Sequence, residues 1–320
     1  MGFPPRRISP GKVRSAAFGL AGLIAGVTGS ASAVPPRMLL LDGAYAGSDL
    51  VVVGERGTVL RSGDHAATWE RVAVPSRATL TAVSFAPAPP PTPVRHGWAV
   101  GHDAIILLTA DAGRTWSRQW QGENLQDSFL DVLALDERRV VAVGAYGLYC
   151  STGDGGRTWT RRRLSADDFH FNRVTRGPGG TLYLAGERGT LLRSTDEGQS
   201  WAPIRTSYEG SFYGIMPLDR RTLVAYGLRG HIYRSVDDGI NWQPVAAPEP
   251  VLLATGLQLK SNYLLLAGQA RTLLLSRDYG KTFTPVDPAI GSGVAELIEL
   301  DGGGLLALGE AGPTLLAIPP

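Results

Sequence analysis

The sequence predicts an all-β fold, a seven-bladed β-propeller of four-stranded blades. A sixteen-residue phrase recurs six times, and in every copy an opening glycine is followed ten residues later by an aspartate. The opening glycines are 41 to 47 residues apart, a period typical of solenoids and propellers. Within each period, short apolar segments alternate with turns rich in Gly and Asp, as expected for antiparallel strands.

Residues 1–33 have the pattern of an export signal and are set aside from the fold. Four basic residues precede an apolar stretch at residues 16–27, and Ala31-Ser32-Ala33 resembles a cleavage site. The apolar stretch is too short to be a permanent transmembrane helix. We therefore expect export to a periplasm or an equivalent lumen, by general secretion or, given Arg6-Arg7, by a twin-arginine route. Residues 34–320 remain for the propeller, enough for seven units of about 41 residues.

Removal of the signal changes the charge of the chain. The full sequence has a net charge of +2, and the signal holds four of its 31 basic residues and no acid, which leaves 27 basic against 29 acidic groups. Such a chain has no general electrostatic attraction for nucleic acid. Cys150 is the only cysteine, so no internal disulfide can form, and its place in the repeat is otherwise held by Leu or Tyr. We expect a buried apolar role for it.

The third repeat shows the four predicted strands, at residues 129–135, 139–144, 148–151 and 158–162. The third strand of most repeats is apolar at two successive positions, which predicts burial on both faces. In a propeller, neighbouring blades cover the middle strands on both faces, whereas a two-sheet sandwich leaves one face in water.

Turns and ends complete the sequence-based picture of the ring. Glycines three residues apart, such as Gly54 and Gly57, predict a tight hairpin between strands two and three. Ala104 and Arg271 replace the later glycine, so we expect a different turn there. The proline-rich residues 86–95 should form an extended surface loop. The seventh repeat supplies three strands, and residues 34–39 are predicted to add the closing one.

The recurring aspartate belongs to a box, [ST]-x-D-x-[GA]-x-[TSN]-[WF], between strands three and four. Asp and Ser or Thr side chains in such turns bond to their own backbone, and we expect the aromatic ring to cover the edge of the next blade. Six copies around a ring cannot all be one active centre, so we interpret the box as structural. Its aspartates are Asp64, Asp111, Asp154, Asp196, Asp237 and Asp278, and its rings are Trp69, Trp116, Trp159, Trp201, Trp242 and Phe283.

The phrases G-E-R-G-T-V-L-R-S-G-D at residues 54–64 and G-E-R-G-T-L-L-R-S-T-D-E-G-Q-S-W at residues 186–201 resemble the photosystem II stability/assembly factor family of BNR/Asp-box propellers. The resemblance covers nearly all of residues 34–320. It implies a seven-bladed propeller on the exported side that binds a membrane-protein precursor during photosystem assembly and catalyses no reaction.

The sequence has no convincing catalytic, cofactor or metal motif. The five histidines lie far apart without metal-ligand spacing, and there is no phosphate loop or nucleophile elbow. The hairpins between strands two and three should share one face, so we predict that Arg56, Arg188 and Arg229 bind a carboxylate-bearing client peptide. The alternatives are that each arginine pairs with a neighbouring acid, or that the protein is an Asp-box glycoside hydrolase or carbohydrate binder. We expect a monomeric binding scaffold.

Overall fold

The computed structural model describes residues 38–287 and 290–318, and these ranges form seven antiparallel sheets. Each sheet is a meander of strands in chain order. Blade 1 has β1 (Leu40–Ala46), β2 (Asp49–Gly54), β3 (Thr58–Ser62) and β4 (Glu70–Arg71). Blade 2 has β5 (Leu80–Phe85), β6 (Gly97–Gly101), β7 (Ile105–Thr109) and β8 (Ser117–Gln121). Blade 3 has β9 (Phe129–Ala134), β10 (Val140–Gly144), β11 (Tyr149–Thr152) and β12 (Thr160–Arg161).

The second half of the chain repeats this pattern. Blade 4 has β13 (Phe171–Arg176), β14 (Leu182–Gly186), β15 (Leu191–Ser194) and β16 (Ala202–Ile204). Blade 5 has β17 (Phe212–Pro217), β18 (Leu223–Gly227), β19 (Ile232–Ser235) and β20 (Gln243–Val245). Blade 6 has β21 (Leu253–Gln258), β22 (Leu264–Gly268), β23 (Leu273–Ser276) and β24 (Thr284–Pro285). Blade 7 has β25 (Val294–Glu299), β26 (Leu305–Gly309) and β27 (Thr314–Leu316).

The seven blades form a closed ring with the first strand of each blade innermost. Contacts run from β1 through β5, β9, β13, β17 and β21 to β25, and β25 contacts β1. The second strands are almost wholly buried, because a neighbouring blade covers each face. The predicted seven-bladed β-propeller is confirmed. No helix in the described ranges has the length and apolarity needed to span a bilayer.

Side chains of the innermost strands bind the backbone of the next blade. The Asp42 carboxylate of blade 1 accepts the Val83 N–H of blade 2 at 2.7 Å, and the Asp131 carboxylate of blade 3 accepts the Val174 N–H of blade 4 at 2.8 Å. Such bonds compensate buried polar groups and fix each blade against its neighbour. Others are Thr81 Oγ1 to the Phe129 carbonyl and Asn172 Nδ2 to the Phe212 carbonyl, and Thr255 Oγ1 of blade 6 donates to the side-chain carboxylate of Glu296 in blade 7.

Apolar packing closes the ring between blades 7 and 1. Leu40, Val52 and Trp69 pack against Leu306 and Leu308 in one buried cluster. Most of the closing strand predicted at residues 34–39 lies outside the described residues. Met38 and Leu39, which are described, are not in a strand. Instead, the Leu39 carbonyl accepts the Glu55 N–H at 3.0 Å, which ties this segment to the hairpin of blade 1.

The hairpins between second and third strands differ from the predicted turns in one respect. Arg56 and Gly57 both have positive φ, and Asp103 and Ala104 of blade 2 have the same backbone conformation, as do Ala270 and Arg271 of blade 6. The expectation of another turn at Ala104 and Arg271 is therefore wrong. Non-glycine residues occupy this left-handed region at a cost of about 1–2 kcal/mol each, and the surrounding ring holds them there.

Candidate binding rim, Asp-box turns and channel cluster

Each Asp box is a self-contained network of hydrogen bonds, as Asp196 shows. Its Oδ1 accepts the Ser194 hydroxyl at 2.7 Å and the Ser200 N–H at 2.9 Å, and its Oδ2 accepts the Ser200 hydroxyl at 2.6 Å. The Ser194 Oγ in turn accepts the Gly198 N–H at 2.8 Å. The other five box aspartates make equivalent bonds. The carboxylates therefore hold their own turns in shape.

These bonds stabilise the charged form of the box aspartates. The Ser200 hydroxyl, followed by the Ser200 N–H and the Ser194 hydroxyl, lowers the pKa of Asp196 to about 2. A carboxylate with a lowered pKa contributes stability above its ordinary pKa of about 3.9, and this contribution is lost as the pH falls through about 2. The box turns are therefore expected to weaken only in strong acid.

The aromatic ring of each box packs against the preceding blade, not against the next one as expected. Trp201 of blade 4 meets Tyr149 of blade 3 with ring centroids 6.0 Å apart. Trp116 of blade 2 is in a buried cluster with Val51 and Val53 of blade 1. The six box rings, Trp69, Trp116, Trp159, Trp201, Trp242 and Phe283, are each buried or half-buried at such a junction. They belong to the packing of the ring.

Replacement of Ser194 by Ala should lower the free energy of unfolding by about 1–3 kcal/mol, because the buried Gly198 N–H loses its acceptor. Ser207, exposed on the loop that leaves the same blade, is the matched control, and Ser207→Ala should change stability by less than about 0.5 kcal/mol. Urea unfolding of both variants checks this. Equal stability of the two variants would contradict the role of the box hydroxyl.

The hairpins between second and third strands form one face of the ring, which we call the hairpin rim. At the third hairpin position stand Arg56, Asp103, Tyr146, Arg188, Arg229, Ala270 and Ala311, in blades 1 to 7. The first six have positive φ, so the backbone presents their side chains in the same way in blades 1 to 6. Arg56 is 88% exposed and Tyr146 66% exposed. The rim therefore offers a regular series of side chains to solvent.

The glutamates of the hairpins bind backbone and leave the arginines available. Glu55 accepts the Leu39 N–H at 3.1 Å, and Glu187 accepts the His170 N–H at 3.0 Å. The Nε of Arg56 lies 4.0 Å from the Oε2 of Glu55, which is the longest distance that still counts as an ion pair. Within the part of the chain that the structure describes, Arg188 and Arg229 have no ion-pair partner. Pairing with the hairpin's own glutamate is thus at most marginal for Arg56 and does not occur for Arg188, and Arg229 has Leu228 in place of the glutamate.

The structure places two of the three predicted binding arginines on adjacent blades. Arg188 and Arg229 are on the adjacent blades 4 and 5, next to Tyr146 of blade 3, whereas Arg56 is three blades away from either. Arg271 of blade 6, which the sequence marked only as a turn exception, lies with Arg229 at a cleft between the two hairpins. Its Nε donates to the Ile290 carbonyl at 2.7 Å, which fixes its direction.

A second cluster, not anticipated from the sequence, occupies the centre of the ring. Arg173 of blade 4 and Glu296 of blade 7 meet at 2.8 Å, a contact possible only across the axis, and Asp42 and Asp131 flank them. We call these four residues the channel cluster. Burial raises the pKa of Asp131 to about 6, although Arg173 acts in the opposite direction. Burial, followed by the charge of Glu296, also raises the pKa of Asp42.

The channel cluster bears on the hydrolase alternative. That alternative requires three arginines facing a tyrosine with a nearby carboxylate, and the cluster instead has one arginine among three acids. In residues 38–287 and 290–318, no group of three or more His, Cys, Asp or Glu side chains could hold a metal ion. Burial raises the pKa of the Cys150 thiol to about 12, so this cysteine is not a thiolate nucleophile near neutral pH.

Similar proteins were found by family model and by sequence. A model of the photosynthesis system II assembly factor YCF48 matches residues 118–258. The photosystem II stability/assembly factor HCF136 of Arabidopsis thaliana is 27% identical over 176 residues, which are 51% of this chain and 41% of that protein. The HCF136 of Oryza sativa subsp. japonica is 27% identical over 193 residues, 56% of this chain and 43% of that protein. The matched region is less than half the length of these relatives.

Solved structures share the propeller fold. A structure described as YCF48 bound to D1 peptide has a TM-score of 0.72 at 23% identity and covers 91% of this chain and 97% of its own. YCF48 from Cyanidioschyzon merolae has a TM-score of 0.71 at 19% identity, covering 90% and 98%. By family model and by sequence this chain is therefore similar to photosystem II assembly factors, and it shares the propeller fold of the solved structures.

Proposed function

We propose that this protein is an exported, non-enzymatic assembly factor whose hairpin rim binds an extended segment of a membrane-protein precursor. The observation that carries the proposal is the pair Arg188 and Arg229, which project from adjacent hairpins without an ion-pair partner among the described residues. Two guanidinium groups on neighbouring blades suit carboxylates on one extended peptide, because arginine binds carboxylates with two parallel hydrogen bonds.

The relatives support the nature of the client. Both curated relatives are photosystem II stability/assembly factors, and YCF48 has been solved with a D1 peptide. We infer that the client of this protein is likewise a subunit precursor of a membrane complex, for which photosystem II is the first candidate. The export pattern of residues 1–33 lies outside the described residues. It supports action in a periplasm or lumen, where the mature chain would work as a monomer without a cofactor.

The test is a double variant, Arg188→Ala with Arg229→Ala. It should weaken binding of a labelled D1 peptide by at least about tenfold, because two charge-assisted contacts are lost. Arg220→Ala with Arg221→Ala is the matched control: it removes the same charge from the turn between β17 and β18, at the opposite end of blade 5. Fluorescence anisotropy at fixed ionic strength gives both dissociation constants.

Equal weakening by the two double variants would mean that only net charge matters, and it would reject the rim as the binding surface. Retained binding in a correctly folded rim variant would reject it as well. Arg56→Ala, on blade 1, measures separately whether the third arginine of the hairpin series contributes. Because Arg56 is three blades away, a loss comparable with that of the double variant would require a client that spans most of the ring.

A further inference from the structure

The hairpin rim has an open cleft of about 570 Å³ above blades 5 to 7. This volume lies within the range of pockets that hold ligands, roughly 300–1,000 Å³. Leu228 and Arg229 of blade 5 form one side, Ala270 and Arg271 of blade 6 lie beside them, and Glu310 is at the blade 7 end. The cleft therefore begins where the exposed arginine pair of the rim ends.

Small side chains account for the opening. Blades 3 to 5 have Tyr146, Arg188 and Arg229 at the third hairpin position, but blades 6 and 7 have Ala270 and Ala311. Ala270 keeps the same positive φ as the larger residues, 53° against 55° for Tyr146. The backbone of blade 6 thus follows the common hairpin path, and the short side chain leaves space above it.

The cleft combines apolar walls with a positive edge. Leu228 is 37% exposed there, and Val251 and Leu252 are half-buried. Arg229 and Arg271 supply two positive charges against the single carboxylate of Glu310. An apolar recess beside a net positive charge is complementary to a large apolar side chain whose neighbour in the chain carries a carboxylate.

We propose that this cleft is a specificity pocket for the client segment, in which one bulky apolar side chain is buried next to a carboxylate held by Arg229 and Arg271. The inference rests on the proposed function, and it goes further by stating what the segment must contain. Carboxylates alone would bind anywhere along the arginines of the rim. The apolar side chain fixes the register, because the cleft above blades 5 to 7 offers it a recess directly beside Arg229 and Arg271.

Two acidic peptides of the same length and charge test the pocket. One carries two Glu residues flanking a Phe, and the other has Ala in place of the Phe. Burial of an aromatic side chain should make the Phe peptide bind about tenfold to a hundredfold more tightly. Isothermal titration with the full mature chain measures both dissociation constants.

A filled cleft provides the decisive variant. Ala270→Trp places a large ring in the opening, and the fold should tolerate it because Tyr146 occupies the same backbone conformation in blade 3. The variant should bind the Phe peptide no better than the Ala peptide. Asp103→Trp is the matched control, with the same hairpin position and φ on blade 2. It should keep the preference for Phe. Loss of the Asp103 carboxylate affects both peptides equally, because they carry the same charge, so it does not change the ratio of their dissociation constants.

The outcomes separate this inference from the proposed function. Equal binding of the two peptides, weakened by Arg188→Ala with Arg229→Ala, would overturn the pocket and leave the rim as the binding surface. Preference for Phe retained in Ala270→Trp would also overturn it, because the apolar side chain would then bind elsewhere. Binding of neither peptide would overturn both proposals.

Discussion

Replacement of Arg173 by Met is expected to lower the free energy of unfolding by about 3–5 kcal/mol at pH 8, because it removes one partner of a buried ion pair. The Arg173 guanidinium is the one positive group that lowers the pKa of Asp42 and of Asp131, against the effect of burial. It also pairs with Glu296 at 2.8 Å. Met matches the length of the side chain but leaves buried carboxylates without a counter-charge. Urea or thermal unfolding measures the loss.

The pH dependence separates this effect from simple loss of packing. The pKa of Asp131 is raised to about 6, so its contribution to stability is present in full below the ordinary value of about 3.9 and is lost as the pH rises through about 6. Without Arg173 the carboxyl groups of the cluster can avoid their charge only by binding protons. The variant should therefore lose less stability at pH 5 than at pH 8.

Arg176 on the same strand is the matched control. Its side chain is exposed at the end of β13 and donates only a long hydrogen bond, 3.4 Å from Nη1 to the Leu135 carbonyl, so Arg176→Met should change stability by less than about 1 kcal/mol at either pH. A pH-independent loss in Arg173→Met would show that the side chain acts through its packed methylene groups. In that case the charge of the channel cluster would not be what fixes blade 4 against blade 7.

The repeat predicted most of the fold because each blade is specified locally. An opening glycine, a turn with positive φ and an Asp box recur within about 41 residues, and each involves contacts close in sequence, such as the four-residue separation of Asp196 and Ser200. Packing of such units side by side needs only apolar faces of similar size. Residues 34–320 have room for seven such periods, which gives the number of blades although the seventh copy is incomplete.

The channel cluster and the cleft could not be predicted in the same way. Asp42, Asp131, Arg173 and Glu296 are far apart in the sequence, and what they share is the third position of a first strand, in β1, β9, β13 and β25. Only closure of the ring brings Arg173 of blade 4 within 2.8 Å of Glu296 of blade 7. The cleft similarly depends on which hairpins stand next to each other, since an alanine at one position is informative only beside a larger residue on the adjacent blade.

The glycine that opens each repeat carries the second large effect: Gly144→Ala should destabilise the propeller by about 3 kcal/mol or more, at the upper end of overpacking substitutions. The backbone at Gly144 is extended, so positive φ is not the reason for glycine. A Cβ there would overlap the carbonyl oxygen of Ser128 and lie 2.8 Å from the Cα of Phe129. Both obstacles are backbone atoms, which cannot move aside as a side chain can.

The same close contact recurs in all seven blades and explains why each repeat opens with a glycine. At Gly54, Gly101, Gly144, Gly186, Gly227, Gly268 and Gly309, the atom nearest to an added methyl group would be the carbonyl oxygen just before the first strand of the same blade. In blade 3 that oxygen accepts the Ala145 N–H at 2.9 Å, so the close approach is part of a hydrogen bond between hairpin and first strand. A methyl group at this position must lengthen or break it.

Gly153, in the same blade, is the matched control, because a Cβ there meets no atom within 4 Å and the backbone is not left-handed. Gly153→Ala should be neutral or should stabilise by up to about 1 kcal/mol through the unfolded chain. Urea unfolding of the two variants, with circular dichroism of the native state, measures the difference. If Gly144→Ala matched its control, the hairpin would have to move away from the first strand at little cost. The rim side chains, which depend on that anchoring, would then have no fixed arrangement to offer a client.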